Sequence, residues 1–276
     1  MQGKKFISPQ SWFSLIYPSL WNEFEDREGS FLFYNPNRWT GNFRISAYRK
    51  DEKTKGAMMY AEEEMQQVLA LNNASKKMKI GFYDAVYYSQ SEKEEGVYYT
   101  THHWVLGEKN TVIECSFTVP QGVGYDEVVE LLNSIEIRLE NKKYPSELIP
   151  IRLAEIYEVN VIYDEMTHLV KTSLSKEFQG AEEDLGKLQE VINEGVISGV
   201  KRKDWFGVGV VLCVILYNEV EGFEWKTLMD GNREAPVLYY LPSKRVIDPL
   251  KIVWDAMDES GKFNVKEIYK ELLNNL

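Results

Sequence analysis

Residues 8–49 of the chain read SPQSWFSLIYPSLWNEFEDREGSFLFYNPNRWTGNFRISAYR, and this stretch decides the fold. It is rich in aromatic side chains and is broken by Pro18 and Pro36. At its end Phe43, Ile45 and Ala47 alternate with polar residues, which is typical of a half-buried strand. The stretch therefore predicts an antiparallel sheet, and it contains no catalytic motif.

The segments that follow continue this pattern. Apolar residues of 57–71 fall on one helical face, and residues 125–137 do the same. Between them, residues 81–89, 96–106 and 111–119 have the composition of strands. The resulting order, β-β-β-α-β-β-β-α, favours an α+β domain in which helices pack on an antiparallel sheet.

A polar segment with two prolines separates the two halves of the chain. It reads ENKKYPSELIP, and it predicts a linker at residues 141–151 between domains at 1–140 and 152–276. The second domain is predicted to be mostly helical α+β. Its helix at 205–218 is apolar nearly all round and therefore central, and Asp230-Gly231 predicts a hairpin near 223–241.

Charge limits the classes of partner. The chain has 32 basic and 43 acidic residues, a net charge of −11. Most of this acidity lies in the second half. An acidic surface repels phosphate backbones, so we expect no nucleic-acid partner. A protein partner with a basic surface fits the charge, although acidity also serves simply to keep a protein soluble.

Segments that would target a membrane are not predicted. The first residues contain Lys4 and Lys5 but no apolar stretch of a signal peptide, and the longest apolar run, 206–217, is shorter than the roughly 20 residues of a membrane span. Cys115 and Cys213 lie in apolar runs of different domains, which predicts two buried free thiols. We therefore expect a cytoplasmic protein, whose oligomeric state the sequence leaves open.

Candidate catalytic and metal-binding residues are few. His102 and His103 are adjacent in a predicted strand, so they point to opposite faces and cannot share a metal. A calcium-loop-like segment ends at Glu267, but Ala256 occupies its first ligand position. Asn264 and Glu267 also form a capping box, which explains the same residues without an ion. The sequence predicts no metal and no cofactor.

Gly207 and Gly209 lie in the segment WFGVGVVL. A dinucleotide-binding loop needs a third glycine, and Leu212 occupies that place. We interpret both glycines as sites of close helix packing.

Trp39 is the strongest candidate for a binding residue. It lies in NPNRWTGN, a polar loop between two strands, whereas most other tryptophans lie in segments typical of a core. Asn42 and Arg44 follow on the polar side of the next strand. We predict that Trp39, Asn42 and Arg44 bind a partner.

The first half resembles the PsbP-like (Mog-type) fold over residues 4–139. The resemblance rests on FSLIYPSLW, with Tyr17, Pro18 and Trp21, then on GSFLFYNP, GNFRISAYR and the final NSIEIR. It implies an antiparallel sheet with packed helices and a binding or accessory role. The second half resembles a bacterial domain of unknown function through DWFGVGVVLCVILYNEVEGFEWKTLMD and REAPVLYYLPSKRVIDP.

Two functional hypotheses follow. The first is a non-enzymatic protein-binding or accessory module, including an immunity-type protein that neutralises a basic toxin. The alternative is a small-molecule-binding protein or weak hydrolase, with a pocket at the domain junction that uses His102 or His103.

Overall fold

The computed structural model describes residues 3–140, 142–197, 202–231, 233–256 and 263–276. The chain divides into two compact units, Met1–Pro145 and Ser146–Leu276. Both contain antiparallel sheets and helices, so the predicted α+β class is confirmed. No described helix is long and apolar enough to cross a membrane.

The first unit is built on a seven-stranded antiparallel sheet. In the order in which they lie side by side, its strands are β3 (Asn22–Arg27), β4 (Ser30–Tyr34), β5 (Asn42–Arg49), β9 (Thr111–Pro120), β8 (Val97–Glu108), β7 (Tyr83–Glu94) and β6 (Lys76–Ile80). Residues paired across neighbouring strands share a face, so the alternation within each strand gives the sheet an apolar and a polar face.

The apolar face packs against a second, smaller sheet. That sheet contains β1 (Gly3–Ile7), β2 (Phe13–Pro18) and β10 (Glu136–Ile137). The core between the two sheets is strongly aromatic, and Phe6 lies 4.9 Å from Phe31 and 5.2 Å from Phe33 between ring centroids. The helix α2 (Val129–Asn133) adds Leu131 and Leu132 to this core.

The other face of the large sheet is covered only in part. The helix α1 (Tyr60–Leu71) places Ala61 against Val105 and Val112, with Met65 and Val68 beside them. Among the described elements of the first unit, no other helix packs on the part of this face away from α1. That part is called the open face below.

The second unit surrounds one buried helix. Its helices are α3 (Leu153–Leu174), α4 (Leu185–Asn193), α5 (Arg202–Glu219), α6 (Pro249–Ala256) and α7 (Val265–Asn274). Its sheet has the order β11 (Glu147–Pro150), β12 (Phe223–Asp230), β13 (Arg233–Tyr240) and β14 (Arg245–Ile247). Val208, Leu212 and Ile215 of α5 are fully buried, which confirms that this helix is central.

The two glycines of α5 are sites of close packing, as predicted. A Cβ atom on Gly209 would lie 1.8 Å from the carbonyl oxygen of Pro249 at the start of α6. A Cβ atom on Gly207 would lie 2.7 Å from Sδ of Met166 on α3. Only glycine permits the approach of α5 to the Pro249 backbone.

Some predicted boundaries were wrong. Four residues of the predicted linker form β11, which pairs with β12 along the sheet edge and buries Ile149. Residues 76–80 form β6, which was not predicted because lysines occupy most of its positions. The predicted helix at 125–137 is interrupted: α2 ends at Asn133, and the chain then pairs with β2.

The N-terminal cap of α7 was predicted correctly. Oδ1 of Asn264 accepts hydrogen bonds from the backbone N–H groups of Lys266 (3.1 Å) and Glu267 (3.2 Å). The cap explains Asn264 without an ion. The remaining residues of the calcium-loop-like segment, 257–262, lie outside the described residues.

Asp184 anchors the chain that leads into α4. Its buried carboxylate accepts hydrogen bonds from the backbone N–H groups of Gln179 and Gly180, both at 2.7 Å, and from Nζ of Lys187 at 2.6 Å. Burial raises the pKa of Asp184, but the hydrogen bonds from Lys187 and from the backbone lower it by more. The pKa of Asp184 therefore lies below its ordinary value.

We expect Asp184→Asn to lower the free energy of unfolding by about 2 kcal/mol at pH 7. Because the pKa is lower in the folded state, the charged form stabilises the protein above the unfolded pKa of about 3.9, and this contribution is lost as the pH falls through the folded pKa. The difference in the free energy of unfolding between wild type and variant should therefore shrink below about pH 4.

Urea unfolding at pH 7 and at acidic pH measures this difference. Glu183→Gln, which changes an exposed neighbouring carboxylate, is the control. A difference that is independent of pH would contradict the assignment.

Candidate functional site

Trp39 is exposed yet held in place. Its side chain is 47% exposed, and its Nε1–H donates a hydrogen bond of 3.2 Å to Oδ1 of Asn42. Its ring meets Tyr99 of β8 edge to face, with 6.1 Å between the centroids. An aromatic side chain fixed in this way loses little conformational freedom when it binds.

The backbone places Trp39 beside the sheet because residue 41 is glycine. Gly41 has a φ of +122°, and a Cβ atom there would lie 2.4 Å from the ring of Phe117. Both the conformation and the close approach require glycine. The loop therefore presents Trp39 at one end of the open face.

Asn42 and Arg44 lie on the open face, as the predicted alternation requires. The strand register continues each of them into a row across the sheet. The two rows are mostly polar and half-buried: Tyr34, Asn42, Thr118 and Thr101 form one, and Leu32, Arg44, Ser116, His103 and Tyr88 form the other. The structure thus brings the three predicted residues together on one surface.

The open face is acidic at its edges. Glu92 pairs across the strands with Tyr99, and Glu114 pairs with Ser46 and Val105; both carboxylates are exposed. Neither forms an ion pair with a lysine or arginine among the described residues. Arg44 does not balance this charge, because its guanidinium forms an ion pair with Asp26.

The two histidines lie on opposite sides of the sheet, as predicted. His102 is buried in an aromatic cluster, and its Nδ1 lies 2.8 Å from the hydroxyl of Tyr87. Burial lowers the pKa of His102, and the backbone of Val123 partly opposes this. His103 lies on the open face, and its ring stacks on Tyr88 with 4.6 Å between the ring centroids. Burial lowers the pKa of His103. The neighbouring His102 also lowers this pKa, whereas the negative charge of Glu92 raises it. Both pKa shifts favour the neutral imidazole.

Metal and thiol chemistry finds no support in the part of the chain that the structure describes. No group of three or more His, Cys, Asp or Glu side chains is arranged there to hold a metal ion. Cys115 and Cys213 are buried and free, as predicted. Burial raises the pKa of both thiols, so neither is reactive.

A buried ionic cluster in the second unit was not predicted. The side chain of Arg152 is 7% exposed, and its Nε and Nη2 donate to the two oxygens of Glu155 at 3.2 and 3.0 Å. Nη2 also lies 2.5 Å from Oε2 of Glu234, and the buried hydroxyl of Thr227 donates to Glu155. Burial alone lowers the pKa of Arg152, but the hydrogen bonds and charges of the two glutamates raise it above its ordinary value.

One signal of this cluster was present in the sequence. Glu155 accepts a hydrogen bond of 3.1 Å from the backbone N–H of Arg152, which is half of a capping box at the start of α3. The spacing Arg152-x-x-Glu155 after Pro150 could have indicated that α3 begins there. Thr227 and Glu234 come from paired strands far along the chain, so only the folded structure joins them to it.

Two family models match the chain. A domain of unknown function, DUF3805, matches residues 1–160, more than half of the sequence. The chain belongs to the DUF3805 family. A second domain of unknown function, DUF3806, matches residues 184–269 of this DUF3805 protein. A search of curated proteins finds no match.

Solved structures extend the comparison. The DUF3805 chain is similar over 100% of both chains to a protein from Bacteroides thetaiotaomicron VPI-5482, with 50% identity and a TM-score of 0.92. Cyanobacterial PsbP (CyanoP) from Synechocystis sp. PCC 6803 is 12% identical, with a TM-score of 0.28 over 50% of this chain and 94% of that chain. LpqN, involved in cell envelope biogenesis of Mycobacterium tuberculosis, is 12% identical, with a TM-score of 0.29 over 49% of this chain and 80% of that chain. The PsbP-like similarity is thus distant.

Proposed function

We propose that this protein is a non-enzymatic binding module whose open face binds a basic segment of a partner protein. The observation that carries the proposal is Trp39, which is exposed but fixed by Asn42 and Tyr99. Tryptophan is enriched among the few residues that supply most of the binding energy of protein interfaces.

The charges beside Trp39 support a basic partner. The exposed residues Glu92 and Glu114 form no ion pair with a lysine or arginine among the described side chains, so a lysine or arginine of the bound segment would find a carboxylate on this face. Tyr99 is the cross-strand neighbour of Glu92, and Trp39 packs against Tyr99; both rings would attract the same cations. In this proposal Arg44 holds Asp26 and shapes the surface instead of contacting the partner's charges.

A toxin-neutralising role is a narrower form of the same proposal. It rests on the acidity of the chain, because a basic toxin is one partner that an acidic immunity protein would bind. A toxin encoded beside this protein, bound through the open face, would support this form.

The experiment that tests the proposal is a selection with a matched control. Random linear peptides are selected for binding to the full chain, in parallel with Trp39→Ala and Trp254→Ala. Trp254 is 61% exposed in the second unit and serves as a control for the loss of an exposed tryptophan. We expect the wild type and Trp254→Ala to enrich the same peptides, rich in Lys and Arg, and Trp39→Ala to lose them.

Salt separates the proposed mode of binding from a purely apolar contact. We expect the affinity for the selected peptides to fall as ionic strength rises, because Glu92 and Glu114 are exposed and their charges are screened. Peptides that lack basic residues, or that bind Trp39→Ala as well as the wild type, would contradict the proposal. The proteins that the wild type, Trp39→Ala and Trp254→Ala capture from the native lysate are compared in the same way.

A further inference from the structure

The second unit contains a cleft that the proposed function does not use. Its volume is about 690 Å³, within the range of small-molecule sites. It is formed by the first half of α3, by the first turns of α5 and α6 and by the start of β13. The ionic cluster of Arg152, Glu155 and Glu234 lies along it, so several of its walls are fixed by buried hydrogen bonds.

Among the basic side chains of this cleft, Arg233 is the one whose guanidinium is both held in place and partly exposed. Its guanidinium forms an ion pair with the buried carboxylate of Asp248, which accepts hydrogen bonds from the backbone N–H groups of Leu250 (3.1 Å) and Lys251 (3.2 Å). Asp248 thus holds Arg233 in place. The Arg233 side chain is 43% exposed and also lines an adjoining cavity of about 340 Å³.

Several N–H donors of the Arg233 guanidinium are not used by the described part of the protein. Only its Nη2 has a hydrogen-bond acceptor among the described residues, namely Asp248. An arginine presents five N–H donors in a planar fork that matches a carboxylate. The remaining donors of Arg233 can therefore bind an anionic group of that shape.

The same cleft offers an opposite charge and an apolar wall. Glu158 of α3 lines it, is exposed and has no ion pair in the part of the chain that the structure describes. Glu165, by contrast, is paired with Lys203 at 2.8 Å. Ile162, Phe206 and Pro236 supply apolar surface between these groups.

We infer that this cleft binds a zwitterionic ligand of the amino-acid or short-peptide class. The ligand's carboxylate pairs with Arg233, its ammonium group pairs with Glu158, and its apolar side chain packs on Phe206 and Pro236. Opposite charges on one apolar cleft favour such a ligand over a purely anionic one, which Glu158 and Glu234 would repel. This inference is independent of the function proposed for the open face.

The test is calorimetric titration of the full chain with free apolar amino acids and with dipeptides made from them. We expect at least one to bind at millimolar or lower concentration. Amidation of its carboxylate, or Arg233→Lys, should each weaken binding about tenfold or more. Acetylation of its amino group, or Glu158→Gln, should do the same. Lys266→Ala, an exposed cation that does not line the cleft, is the control.

The outcomes distinguish the possible sources of the ligand and keep the inference falsifiable. Binding by free amino acids identifies a single-residue ligand, and binding by dipeptides alone identifies a peptide. If no member of either set binds, or if binding survives both Arg233→Lys and Glu158→Gln, the inference is wrong. Glu158→Gln changes an exposed side chain, so its effect does not depend on whether changes at Arg233 disturb Asp248.

Discussion

Replacing Gly209 with alanine is expected to lower the free energy of unfolding of the second unit by about 3 kcal/mol or more. The added Cβ atom would lie 1.8 Å from the oxygen and 2.5 Å from the carbonyl carbon of Pro249. Both are backbone atoms at the start of α6, so the clash is relieved only if α5 and α6 move apart. Such a shift would open the core around Val253, which is fully buried.

The same substitution at two other helical glycines provides a graded control. At Gly207 the nearest atoms are Cγ and Sδ of the flexible Met166 side chain, so the loss should be smaller. At Gly186 nothing lies within 4 Å, and alanine should stabilise α4 by roughly 0.5–1 kcal/mol. Urea unfolding followed by circular dichroism measures all three. Equal effects at Gly209 and Gly186 would refute the packing of α5 on α6.

Replacing Arg152 with methionine is expected to destabilise the second unit by about 3–5 kcal/mol. The change leaves the buried carboxylate of Glu155 without its guanidinium partner, and Glu234 loses the same partner. A buried charge without compensation is strongly unfavourable. Chemical denaturation of the purified variant measures the loss.

Removing the charge of Glu155 as well should recover part of this stability. In the double variant Arg152→Met with Glu155→Gln, the glutamine oxygen can still accept the bonds from the Arg152 backbone and the Thr227 hydroxyl. Lys171→Met is the surface control, because Lys171 and Glu177 form an exposed pair at 2.8 Å and should contribute less than about 1 kcal/mol. A loss at Arg152 no larger than at Lys171 would show that the cluster is not buried in solution.

Much of the fold was predictable because apolar residues recur in its strands and helices at the spacing typical of each element. The alternation of residues 111–119 predicted β9 almost to its ends, and the apolar run around Val208 predicted α5 and its central position. The polar loop before Asn42 was sufficient to predict that Trp39 lies outside the core. These features depend on local sequence alone.

What was missed depends on tertiary contacts. β6 was missed because its lysines point to solvent and leave little apolar pattern. β11 was missed because it is short, ends at Pro150 and follows the polar segment with Pro145, which resembles a linker. The same holds for the candidate site. Tyr99 and Trp39 are far apart in sequence, and only the register of β5, β9, β8 and β7 brings Asn42, Tyr99 and Glu92 to one face.

The central claim is that Trp39 anchors a partner on the open face. The most direct measurement is the dissociation constant of the tightest selected basic peptide for the wild type, Trp39→Ala and Trp254→Ala. We predict that Trp39→Ala weakens binding about 30-fold or more, which corresponds to about 2 kcal/mol, and that Trp254→Ala leaves it within about twofold. Equal affinity of the wild type and Trp39→Ala would contradict the claim and move the binding site away from the open face.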